Sequence, residues 1–87
     1  MIEFDNNEQG YLRWINAHPN GYVVNMPKDG RSWPNMLHRA SCPHISTAHK
    51  NYTTTSYKKL CSESRAELEV SVRDATNGFQ ECKHCKP

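Results

Sequence analysis

Apolar positions along the 87-residue chain fall into short groups separated by polar stretches. Leu12 and Ile15 recur three apart, with Tyr11 and Trp14 on the adjoining stripe, as one face of a helix requires. Asp5-Asn6-Asn7-Glu8 supplies N-cap oxygens ahead of that stripe, and His18-Pro19-Asn20-Gly21 stops it. A residue before proline avoids the helical region, and glycine tolerates a left-handed turn. The pattern predicts a helix over about 7–17. Tyr22-Val23-Val24-Asn25-Met26 is β-branched and aromatic and predicts a strand. Pro27-Lys28-Asp29-Gly30 is turn chemistry. Trp33 to Arg39 predicts a second strand that Pro34 confines to an edge or a late start. A hairpin would then carry Met36, Leu37 and His38 back past the first strand.

Residues 43–56 are polar and without period, and a loop of that length in so short a chain is either mobile or functional. Tyr57-Lys58-Lys59-Leu60-Cys61 predicts a short third strand. Ser64 and Glu67 have capping-box spacing, and Leu68, Val72 and Ala75 form a helical apolar stripe ending near Gly78. Phe79-Gln80-Glu81 then runs into Cys82-Lys83-His84-Cys85. The expectation is a single α+β domain over 1–87, with a short antiparallel sheet of about three strands. The N-terminal helix opens it, and the second helix leads into the C-x-x-C knuckle.

Composition sharpens that expectation. The apolar class is only 36% of the chain and the mean hydropathy is −0.90, so the core is small. Domains of this size usually borrow stability from disulfides, a metal or a partner. No apolar run approaches the ~18–20 residues of a membrane span. Met1 to Glu8 has neither a basic start nor an apolar run, so the sequence is expected to act in the cytoplasm, without a membrane. Four cysteines in a reducing compartment, two of them in a C-x-x-C, point to metal rather than to cystine.

Cys82 and Cys85 can reach one ion from one side of a tight turn, and a tetrahedral site needs two more ligands. His38 and Cys42, with three residues between them, supply them. The expected structural Zn2+ site is therefore His38, Cys42, Cys82 and Cys85. Cys61 in place of His38 would give a site of four thiolates, although a cysteine closing a strand is more often a small buried hydrophobe. His44 lies behind Pro43, and His84 points away from the ion. A metal-free reading leaves a redox C-x-x-C, but the strand and helix that flank such a motif are missing. A ββα-metal nuclease fails because the helix over 65–76 holds Glu67, Glu69 and Asp74 but no histidine.

His38-Arg39-x-x-Cys42, a strand, a helix, and Gly78-Phe79-Gln80-Glu81-Cys82-Lys83-His84-Cys85-Lys86-Pro87 together resemble the Ada-type metal-binding domain. That is the zinc module of the bacterial alkylation-response regulator. The resemblance covers about 33–87, with the glycine-to-proline tail its most specific part, and 1–32 follow only the helix-then-strand order. It implies a zinc-stapled module that binds DNA. In the family the first ligand position is a cysteine that also accepts a methyl group from DNA phosphate. Here it is His38, whose zinc-bound imidazole has no thiolate nucleophilicity, so a non-catalytic module is expected rather than an enzyme.

Net charge is +2, but unevenly spread: residues 31–62 hold Arg31, Arg39, Lys50, Lys58 and Lys59 with no acid. With Lys83 and Lys86 these are the expected nucleic-acid contacts, interleaved with Trp33, Tyr52 and Tyr57. The competing expectation is a small regulator or inhibitor, for example phage-encoded, that docks on a larger enzyme. A monomer is expected in either case.

Overall fold

Val23 and Val24 stand at the middle of a sheet whose two faces each receive a helix. The structure, a computed structural model, describes residues 1–28, 35–42, 53, 57–75 and 79–83. Among these, the elements are β1 (Ile2–Phe4), α1 (Glu8–Ala17), β2 (Tyr22–Pro27), β3 (Met36–Arg39), β4 (Tyr57–Ser62), α2 (Arg65–Ala75) and β5 (Gln80–Glu81). Strand order is β1-β4-β2-β3-β5. Every pairing is antiparallel except β3 with β5, which is parallel.

The α+β expectation holds, with two helices and a mixed sheet, but the sheet has five described strands rather than about three. Ile2–Phe4 and Gln80–Glu81 are too short to display an alternating pattern, so sequence periodicity could not reveal them. Pairing with an existing strand makes them strands. Of the two outcomes that Pro34 allowed the second predicted strand, the late start is the one found: β3 begins at Met36 and lies between β2 and β5, not at an edge. Trp33, Pro34, Gly78 and nearly all of 43–56 lie outside the described residues.

Alternation along the strands divides the core in two. In register, Val23 faces His38 on one side and Cys61 on the other, and Val24 faces Leu37 and Leu60. Phe4, Val23 and Cys61 pack with Tyr11, Trp14 and Ile15 of α1. Val24, Met26, Leu37 and Leu60 pack with Leu68 and Val72 of α2 on the opposite face. The α1-side cluster also holds Ala40, Cys42 and Cys82, so the cysteines enter the core from the β3–β5 end.

Local chemistry fixes the helix starts. Asn7 is the N-cap of α1, its Oδ1 accepting the Gly10 N–H at 3.0 Å. Ser64 Oγ accepts the Glu67 N–H at 3.2 Å, one arm of the expected capping box, while Glu67 itself takes the Met1 amine at 2.7 Å. Between α1 and β2 the chain turns at Gly21, where a Cβ would lie 2.7 Å from the Trp14 ring and 3.1 Å from the His18 carbonyl. Only glycine fits that approach. Among the described residues, no helix is long and apolar enough to cross a membrane.

Candidate metal centre

Three of the four expected ligands converge. One donor atom each from His38, Cys42 and Cys82 lies within 4.8 Å of the others, and all three residues are buried. Backbone hydrogen bonds produce the convergence. His38 sits on β3 with its side chain on the α1 face, opposite Val23. The chain then turns tightly: the Ala40 N–H donates to the Gly21 carbonyl at 2.9 Å and the Cys42 N–H to the Arg39 carbonyl at 3.0 Å. That turn folds Cys42 back beside His38. On the other side, the Gln80 N–H donates to the Asn35 carbonyl at 2.8 Å and the Cys82 N–H to the Leu37 carbonyl at 2.9 Å. These two bonds hold β5 along β3 and deliver Cys82 to the same spot.

The spacing suits a tetrahedral ion. Cys42 Sγ and Cys82 Sγ are 3.9 Å apart. Metal–sulfur bonds of about 2.3 Å at tetrahedral angles put two sulfurs about 3.8 Å apart. The surroundings suit it too: Cys42 and Cys82 are 1% and 5% exposed, and Nδ1 of His38 is sealed from solvent. Two thiols and an imidazole in an apolar wall form a donor set for a borderline-soft cation. Cys85, the fourth expected ligand, lies outside the described residues, as do His44 and His84.

Cys61 does not join this cluster. It is on β4, with β2 between it and His38, which at about 4.8 Å per strand sets their backbones roughly 10 Å apart. It is fully buried, and that burial pushes its thiol up to about 12, with Lys59 drawing it back only in part. Cys61 is a core residue, and the alternative that put it in place of His38 is set aside.

Among the described residues, the expected basic surface is thinner than the sequence implied. Lys59, expected on the surface, is 4% exposed and donates to Asn25 Oδ1. Alternation explains the error: Lys59 and Cys61 share the α1 face of β4, so a lysine there must point inward. Lys58 reaches Glu3 at 2.9 Å. Arg39 and Lys83 are exposed. Arg39 closes β3 and Lys83 follows β5, and since these strands are parallel both stand at the metal end of the sheet. Arg31, Lys50 and Lys86 lie outside the described residues, with Trp33 and Tyr52.

Beside the ligands is a polar cleft of about 190 Å3 that the sequence did not announce, lined by Pro19, Asn20, Gly21, Tyr22, Arg39 and Ser41. Arg39 and Ser41 are the chain neighbours of His38 and Cys42, so the turn after β3 contributes to both the cleft and the cluster.

Compared with known proteins, the chain matches no family model, no curated protein and no solved structure.

Proposed function

We propose that this chain is a non-catalytic zinc-binding module whose metal end contacts nucleic acid. The observation that carries the metal is the convergence of His38, Cys42 and Cys82 in the buried wall, with their sulfurs at the edge length of a thiolate-bound tetrahedral ion. Cys85, three residues past Cys82, completes the set in this reading. An ion held by three thiolates and an imidazole keeps no open position for substrate, so its role is structural. When bound, it supplies a fixed cross-link between the end of β3 and the chain after β5. The Ada-type resemblance and the exposed pair Arg39 and Lys83 support DNA as the partner, with the polar cleft receiving a backbone phosphate.

A titration of the zinc-loaded protein with non-specific duplex DNA at two salt concentrations tests the partner. Binding is expected to weaken steeply with salt, and Arg39→Ala with Lys83→Ala should lower the salt slope by about 2. No binding at low salt would overturn the DNA reading while leaving the metal in place. The burial of Lys59 and the Lys58–Glu3 pair favour, in that event, the second reading: docking on another protein.

A further inference from the structure

The two sulfurs of the cluster have a second chemistry open to them. Cys42 and Cys82 are 40 positions apart in sequence, yet their sulfurs approach to 3.9 Å between backbone points that hydrogen bonds to Arg39 and Leu37 fix. A disulfide needs about 2.05 Å, so each sulfur would have to move only about 1 Å. Both residues lie in the apolar α1-side core, where a neutral disulfide is easier to hold than two separate thiolates. The third cysteine of that core, Cys61, is beyond β2.

We propose that Cys42 and Cys82 form a redox pair: hydrogen peroxide joins them as a disulfide, expels the zinc and leaves the same two points of the backbone tied. This rests on the metal reading. In the step, one thiolate attacks the peroxide and becomes a sulfenic acid, and the second thiolate attacks that sulfur. Each sulfur is oxidised by one electron as the S–S bond forms, and the two electrons reduce the peroxide. The O–O bond breaks, its two oxygens leave as water with two protons from solvent, and the zinc departs as the divalent cation. A thiol reductant reverses the change. Zinc and disulfide are then alternative staples of one fold, and oxidation releases metal without releasing the tail.

The test starts from the zinc-loaded full chain, with metal content measured first, and titrates in hydrogen peroxide while a chromophoric chelator reads free zinc. One zinc per chain is expected to appear as the mass falls to two hydrogens below that of the reduced apo chain. Tryptic peptides 40–50 and 74–83 should become cross-linked, and amide NMR dispersion should persist in excess chelator. Cleavage after Lys83 separates Cys82 from Cys85, so an 82–85 disulfide is distinguishable and would overturn the proposal. Release of zinc with sulfinic or sulfonic acid on single cysteines would overturn it as well, as would zinc retention. Cys61→Ser should leave the cross-link unchanged, and Cys42→Ser should abolish it. If the untreated, reduced protein carries no zinc, the metal reading fails on its own, before any oxidant is added.

Discussion

Lys59 enters the core between Asn25 and the α1 N-terminus, where its ammonium meets Asn25 Oδ1 and the charge of Glu8. Burial pushes it down from 10.5 to about 8, with Glu8 and Cys61 opposing the shift only partly. Because the folded pKa is below the unfolded one, folding must carry a cost below pH 8 that fades as pH rises from about 8 to about 10.5. At about 1.4 kcal/mol per unit the cost is on the order of 3 kcal/mol. Lys59→Met is therefore expected to raise unfolding free energy by about 1–3 kcal/mol at pH 7. Denaturant titrations should show that advantage shrinking between pH 8 and 10.5. An unchanged or lower stability at pH 7 would contradict the burial argument. Both proteins are compared at each pH because Cys61, raised to about 12, acts with the opposite sign above pH 9. The cysteines of the candidate cluster were legible at this scale because spacing alone marks Cys82 as half of a knuckle and Cys42 as a partner. Lys59 was misplaced because composition counts a lysine as surface, and only its alternation with Cys61 shows otherwise.

Elements of this chain lean on one another more than on their own propensities. The clearest case is the start of α1. Thr53 is fully buried there, its carbonyl accepting the Asn6 N–H at 2.8 Å and its Oγ1 the Asn7 N–H at 2.7 Å. The Thr53 Oγ1 in turn donates to Glu8 at 3.0 Å, and its N–H donates to the same carboxylate. Asn6, at φ 54°, takes the left-handed turn that aims these groups, a conformation asparagine tolerates better than most residues. Thr53→Val keeps the shape and removes the hydroxyl, so a loss of about 1–3 kcal/mol is expected from the unsatisfied groups it leaves. A thermal melt equal to that of the parent would show that this contact carries no weight. Nothing in the polar run 43–56 singled out Thr53, because a lone threonine has no periodic signature. The helices and β2 were legible because each carries its own apolar pattern and caps. β1 and β5 were not, since three and two residues become strands only when a neighbour pairs with them.

The whole molecule sets a sheet between two helices and gathers two thiols and an imidazole at one end. Its two apolar clusters are small, and at the β3–β5 end a two-residue strand lies beside the buried, converging side chains of His38, Cys42 and Cys82. Apparent zinc-binding energies of about 10–16 kcal/mol rival the roughly 5–15 kcal/mol that holds an ordinary domain together. Loss of the ion from the reduced chain should thus unfold the protein rather than loosen one corner. The direct measurement is a chelator titration of the purified protein under reducing conditions, with zinc release and amide NMR dispersion followed on one sample. One zinc per chain is expected, and dispersion should collapse in step with its removal. A reduced chain that holds no stoichiometric zinc, or that keeps full dispersion in excess chelator, would contradict the metal-stapled fold at its centre.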